Sequence, residues 1–390
     1  MKFRHSLIGI LVLTVGFSPA AEKIAIKKTP NDGIQPKLAR DSRGTLHLIY
    51  FKGDPMGGNV YYVNQKPGAT MFSKAIRVNS VAGSVVAVGT MRGAQLTLGR
   101  NGRPHVSWNA SPKFTKARSK STKKKHNPKD HRFLFYTRMN STGKAFEKQR
   151  NLMGDTFALD GGCVVTADAK GNVYVVWHAT TDDAEHGEVG RAVYMVSSKD
   201  GGKTFSKVKR ANVKDTGACG CCALTAMTDK GGNLYVTYRS AIEKMDRDTF
   251  LLVSKDGGKS FSESIIDRWR LNACPGSSYA MIETGSGVYA AWESRRQIFF
   301  GKIGDEIKKI PAAGKGGGRK NPAMAVNSDG QLLLVWNDGG GWRHRSSLAW
   351  QLYDSSGNPQ SDHGFIKNGN PVWSFGTPVV MADGSFVIYH

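Results

Sequence analysis

One pattern recurs along the chain and constrains its fold more than any other feature. It is an apolar run, a polar turn carrying Gly, and a second apolar run ending in an aromatic. The copies are "PKLARDSRGTLHLIYF" (Pro36 to Phe51), "AQLTLGRNGRPHVSW" (Ala94 to Trp108), "CVVTADAKGNVYVVW" (Cys163 to Trp177), "CALTAMTDKGGNLYVTY" (Cys222 to Tyr238), "YAMIETGSGVYAAW" (Tyr279 to Trp292), "PAMAVNSDGQLLLVW" (Pro322 to Trp336) and "PVVMADGSFVIY" (Pro378 to Tyr389). β-Branched and aromatic residues flanking a Gly, Asn or Asp turn predict a β-hairpin at each copy. After each of the first six comes a third apolar strand, such as "NVYYVNQ" or "TFLLVSK", then a turn and a fourth, such as "FSKAIRVN" or "FSKVKRAN". Units of four antiparallel strands, roughly 40–70 residues apart, are the blades of an all-β propeller. Long helical periodicity is absent.

Two polar octets sit between the third and fourth strands of blades three and four. They are Ser198-Lys-Asp200-Gly-Gly202-Lys-Thr204-Phe205 and Ser254-Lys-Asp256-Gly-Gly258-Lys-Ser260-Phe261. Ser and Asp side chains bond nearby backbone and glycines take strained turn torsions, so each octet predicts a turn clip. Degenerate copies are "NSTGKAF" (Asn140 to Phe146) and "YDSSGNP" (Tyr353 to Pro359). These octets resemble the Asp-box, or bacterial neuraminidase repeat, of the sialidase-like propellers, and the resemblance spans most of the chain. It implies a glycan-directed protein whose boxes lie on the face away from the site. Counting hairpins gives seven blades, with six, the number in sialidases, as the alternative. "KIAIKK" (Lys23 to Lys28) resembles an outer fourth strand and the chain ends on a hairpin. Together the two ends would complete one blade and hide its sheet edges.

The first residues read as processing signal rather than fold. "MKFRH" is basic, "SLIGILVLTVGF" is apolar and "SPAAEK" offers small residues for cleavage, the pattern of a secretory signal peptide. The expected organisation is a signal over 1–21 and one propeller domain over 22–390, secreted or periplasmic, with no membrane span after cleavage. The net charge of +24 points to polyanions. Nine Lys and Arg lie between Lys113 and Arg132, a stretch read as a loop contacting an acidic glycan or another polyanion, or simply solvated. Export argues against nucleic acid as the partner.

In a propeller the ends of the second strands face the mouth. That places Lys52, Asn109, His178, Arg239, Glu293, Asn337 and Asp338 there, with Asp182, Asp183, Glu185, His186 and Glu188 on the loop after His178. The sialidase resemblance implies three arginines around a carboxylate, a Tyr–Glu nucleophile pair and an acidic acid/base group. The first of those arginines is missing, because the matching place reads "GIQPKL", with Gln35 and Pro36. The catalytic candidates are Glu293, Asp338 and Tyr238. Those for substrate binding are Arg239, Arg295, His178, Asn109 and Asn337, with Arg296 beside them.

The five cysteines, Cys163, Cys219, Cys221, Cys222 and Cys274, are expected on that same face in three adjacent blades. Export favours disulfides, two bridges and a free thiol. The sharper reading is a soft-metal site for copper or zinc. Cys221 and Cys222 are neighbours and should seek different partners. Two functions follow: a propeller that recognises acidic glycans, with hydrolysis if a catalytic pair converges, or a non-enzymatic binding or scaffold propeller. The separating observation is whether three arginine tips meet near the axis.

Overall fold

The computed structural model describes residues 23–114, 133–185 and 187–390. The N-terminal segment read as a signal, most of the basic loop and His186 lie outside them. Seven sheets form, six of four antiparallel strands and one of three. Blade 1 consists of Ile34–Arg40, Leu46–Lys52, Asn59–Gln65 and Ile76–Arg77, and blades 2 to 6 repeat the same order. The innermost strands neighbour one another in sequence, and Thr377–Val380 of the last blade returns to Ile34–Arg40, closing the ring. The fold is a seven-bladed propeller. Among the described residues no helix is long and apolar enough to cross a membrane.

The closing blade is short, with three strands. Ile24–Lys27 is its outermost strand and runs parallel to Phe386–Tyr389, the direction of a fourth strand, with no third strand between them. Thr29 then fastens the join, donating from its backbone N–H and its hydroxyl to the His390 carbonyl, each at 2.9 Å. An edge that would otherwise be open is paired on both termini.

The aromatics that end the hairpins fill the space between blades. Trp108, Trp177 and Trp292 are fully buried. Where the ring nitrogens have partners, those are built in: Trp177 donates to Thr156 at 3.1 Å and Trp292 to Asp267 at 2.9 Å, as buried indoles require.

The two octets make the same clip. Ser198 donates to Asp200 at 2.7 Å and accepts the Gly202 N–H at 2.9 Å. Ser254 repeats this with Asp256 and Gly258 at 2.7 and 2.8 Å. Thr204 and Ser260 close each turn by donating to the aspartate at 2.6 Å. Those bonds hold both carboxyls well below the usual range. Phe205 then packs edge-on against Tyr136 of the preceding blade at 4.9 Å, so the turn joins two blades.

Gly201 and Gly202 both have positive φ, 68° and 78°. A Cβ on Gly201 would meet nothing nearer than 3.8 Å, whereas one on Gly202 would lie 1.9 Å from the Tyr136 hydroxyl. Gly201→Ala should therefore cost only its torsional strain, about 1 kcal/mol. Gly202→Ala should cost about 3 kcal/mol, because buried Tyr136 must also move. Denaturant midpoints of the two variants check this; equal losses would show that the close approach does not matter.

Candidate functional site

The inner-strand starts and second-strand ends share one face, and a cavity of about 340 Å³ opens on it. Its walls are loops between blades. They include Gly89 to Arg92, the Cys221–Cys274 disulfide, Lys320 and Asn337 of blade 6, and the loop that carries Trp342 and His344.

Trp342 is 50% exposed, unusual for so large an apolar ring. It stands 6.3 Å from Trp373 at 61°, and the Trp373 ring N–H donates to the Trp342 carbonyl. The Arg92 guanidinium lies over the Trp342 ring at 5.6 Å. Backbone strain gathers around this platform. Trp373, Gln35 and Asn321 have φ of 60°, 57° and 53°, conformations bulky residues avoid unless their surroundings enforce them. Gln35 does the enforcing: its amide nitrogen sits 2.8–2.9 Å from the carbonyls of Ala87, Gly89 and Trp373. The residue standing where the sialidase resemblance places an arginine is thus a buried clamp under the platform.

Basic side chains gather at the cavity. Arg92, Lys320 and His344 line it, and no Asp or Glu does among its described lining residues. Arg92 is braced by Asp160 at 2.5 Å. Lys320 donates to the Pro275 and Gly276 carbonyls at 2.6 and 3.2 Å and to Glu293 at 3.2 Å. Glu293 lies behind it, 2% exposed. Burial pushes its carboxyl up, with Lys320 opposing.

Of the other sequence candidates, Asn337 lines the cavity, donating to the Ser374 carbonyl at 2.9 Å and accepting from Asn370. Asn109 is buried and donates to the Asp160 carbonyl at 3.0 Å. His178 is buried against the Cys222 carbonyl at 2.9 Å. A carbonyl only accepts, so Nε2 carries the proton. Arg239 is fully buried, donating to the carbonyls of Arg247 and Glu293 with its charge 4.9 Å over Trp269. Tyr238 lies in the core of blades 3 and 4, its hydroxyl bonded to Thr216 at 2.7 Å and to Glu263 at 3.2 Å. Burial raises its pKa. Asp338 pairs with Arg319 at 3.0 Å. Arg295 and Arg296 form a two-residue turn, both at positive φ, and Arg295 reaches outward to the Arg268 carbonyl at 2.8 Å. Lys52 donates to the Asn31 carbonyl at 2.8 Å. Three arginine tips therefore do not meet at the cavity; Arg92 is the one arginine among its described lining residues.

Four of the five cysteines gather at the cavity wall. One bridge forms, Cys221–Cys274, rather than the two expected; Cys163, Cys219 and Cys222 are thiols. Cys219 and Cys222 lie 3.2 Å apart and share a hydrogen bond, while the Cys221 sulfur is 3.5 Å from Cys219. Burial works to raise both thiols, but the shared bond splits them, up for Cys219 and down for Cys222, which Arg239 also favours as thiolate. Cys163 sits apart, buried in the core beside Ser107, and burial pushes it up to about 12.

Sequence reasoning missed Trp342, Trp373, Arg92, Lys320 and His344. The one signal was "DGGGWRH" (Asp338 to His344), an aromatic set in a glycine-rich loop. A second cavity, about 620 Å³, opens on the opposite face among the turns of blades 1 to 3. It too is basic, lined by Arg43, Arg100, Arg103, Lys170 and Lys199.

No protein-family description and no curated protein matches the sequence. Solved structures match the fold. An α-L-arabinanase of Penicillium chrysogenum, complexed with arabinobiose, is 15% identical with a TM-score of 0.52, covering 83% of this chain and 94% of that one. An α-L-arabinofuranosidase of Fusarium graminearum, with an iminosugar inhibitor, is 14% identical with a TM-score of 0.53, over 85% and 97%. The Trypanosoma rangeli sialidase is 12% identical with a TM-score of 0.50, over 79% of this chain and 53% of that one. These solved structures share the propeller fold of this chain.

Proposed function

We propose that this chain is an exported glycan-binding propeller that holds an acidic sugar unit in its central cavity. The observation that carries the reading is an exposed tryptophan platform in a cavity lined by Arg92 and Lys320, with no lining carboxylate among the described residues. A sugar ring stacks its C–H face on Trp342 while its acidic group meets Arg92, Lys320 and His344. Concave sites of this kind, mostly apolar with a few placed polar groups, are where small ligands bind. The fold's solved neighbours support a carbohydrate ligand, since one holds arabinobiose and another is a sialidase.

Binding is favoured over hydrolysis. Glycoside cleavage ordinarily needs two carboxyl groups flanking the bond, yet Glu293 is sealed behind Lys320 and Asp338 is committed to Arg319. Tyr238, the remaining catalytic candidate, is enclosed in the core. The basic loop from Lys113 to Arg132 would extend the contact along a polyanionic chain, and nucleic acid is not the expected partner. Export, with residues 1–21 removed and 22–390 as the single mature domain, is supported by the signal-like N-terminus and the disulfide.

Calorimetric titration of the protein with sialyllactose, an oligouronate and arabinobiose tests this. An acidic ligand should bind, and Trp342→Ala should weaken it at least tenfold, about 1.4 kcal/mol or more. A fluorogenic sialoside should not be turned over. Equal affinity for the neutral sugar, or binding indifferent to Trp342→Ala, would overturn the assignment.

A further inference from the structure

The cavity wall holds a chemistry that glycan binding does not use. Cys219, Cys221 and Cys222 bring three sulfurs within 4.8 Å of one another. The Cys219 sulfur lies 3.2 Å from that of Cys222 and 3.5 Å from that of Cys221. Three sulfurs around a soft ion at about 2.3 Å stand about 4 Å apart, so small side-chain shifts would seat one. We propose that these three cysteines form a copper(I) site that the Cys221–Cys274 disulfide keeps closed.

The closing step is explicit. In the disulfide, Cys221 has no thiolate to give, and two sulfurs alone remain. A dithiol reductant exchanges twice with the bridge, becoming a disulfide itself and leaving thiols on Cys221 and Cys274. The three thiols of Cys219, Cys221 and Cys222 then take up Cu(I) and release three protons. Softness selects Cu(I) for an all-thiolate set. Zinc ordinarily wants a fourth ligand, and the candidate group among the described residues stops at three. Cys163 is outside it, and His178 is held by the Cys222 carbonyl.

The surroundings suit a buried thiolate cluster. The bound site would carry a charge of −2, and arginines flank it. Arg191 lies against Gly220, where an added Cβ would come within 3.2 Å of the guanidinium, and Arg239 acts on Cys222. The loop is fixed from outside the sulfurs: Gly220 N–H donates to Glu188 at 2.6 Å, Cys219 N–H to the Arg239 carbonyl at 2.9 Å, and Ser277 N–H to the Cys222 sulfur at 3.3 Å. Cys219 and Cys222 are buried, while Cys274 is exposed and lines the cavity with Cys221. A reductant and then the ion can therefore enter through the cavity.

The test is anaerobic competition for Cu(I) between the protein and bicinchoninate. A phosphine, taking oxygen from one water, reduces the bridge to two thiols. Reduced wild type should take one equivalent of Cu(I), and the oxidised protein should hold it at least a hundredfold more weakly. Cys274→Ser should bind without reductant; Cys219→Ser and Cys222→Ser should each lose the site, and Cys163→Ser should keep it. Should Cys274→Ser fail to fold, reduced wild type, with its fold checked by circular dichroism, decides alone. Reduced protein that leaves Cu(I) with the chelator overturns the proposal. So does oxidised protein that binds equally well, a site indifferent to Cys219→Ser, or one that takes Zn(II) and not Cu(I).

Discussion

Taking the protein from pH 7 to pH 4 will cost the fold about 6 kcal/mol through two histidines, His105 and His178. His105 is 1% exposed, its Nδ1 2.7 Å from the Tyr136 hydroxyl. Burial pushes it down to about 3, with Arg138 and Arg103 also opposing a second positive charge. His178 is pushed down to about 4 by burial, with Arg191 adding to it. Unfolded, both titrate near 6.5. The unfolded chain thus binds protons that the folded one refuses, and stability falls as pH drops from 6.5 toward 4. Each group contributes about 3 kcal/mol over that interval at 1.36 kcal/mol per pH unit. Glu293 works in the opposite sense, because its raised pKa favours the fold on acidification. Urea midpoints at pH 7 and pH 4 measure the loss. His178→Gln keeps a donor toward the Cys222 carbonyl and His105→Asn keeps a hydrogen-bonding group toward the Tyr136 hydroxyl. Each should shrink the acid loss by about 3 kcal/mol, while His47 and His390, which burial also pushes down, add to the loss in the same direction. A pH dependence unchanged in both variants would place the acid sensitivity elsewhere.

The propeller was legible because each blade announces itself twice, by alternating apolar residues and by a Gly-bearing turn. Seven hairpins became seven blades. The closing strand was legible as an outermost strand, but its immediate neighbour was not, for a physical reason. "KIAIKK" has an apolar pattern but no attached turn, and only a turn fixes partner and direction. It pairs parallel beside Phe386–Tyr389 instead. At the site, the strand ends named from sequence are mostly buried: Asn337 lines the cavity, whereas Asn109, His178 and Arg239 are enclosed. Asn109, His178 and Arg239 end regular strands, and strand ends at the mouth are held by neighbouring blades, so these side chains brace loops. Lys320 and Asn337 reach the cavity from strands, but Trp342, Trp373 and Arg92 come from irregular segments between strands. No period marks such segments, and their placement depends on contacts such as that of Gln35 with three carbonyls. Spacing alone placed four of the five cysteines together, Cys163 lying apart in the core, whereas their pairing needed the 6.5 Å Cα separation of Cys221 and Cys274.

Arg239→Ala should destabilise the protein by about 3–5 kcal/mol, the range for breaking a buried, hydrogen-bonded charge network. Its guanidinium crosses from blade 4 to blade 5, donating to the Arg247 carbonyl on one side and the Glu293 carbonyl on the other. Truncation leaves both acceptors without that partner in a site that water does not reach, and removes the cation that sits over Trp269. It also takes away a charge that favours ionised Glu293 and Cys222, so Lys320 is left as the cation within hydrogen-bond reach of the Glu293 carboxylate. Arg239→Lys should recover part of the loss, since an ammonium restores charge but cannot bond two carbonyls in the fork geometry of a guanidinium. Denaturant midpoints and glycan affinity, measured on the same variants, separate bracing from binding. A bracing residue lowers the midpoint and leaves the affinity of the folded fraction nearly intact. A variant that unfolds with the wild type yet no longer binds glycan would instead make Arg239 a ligand contact, and would reopen carboxylate capture by arginine at this mouth.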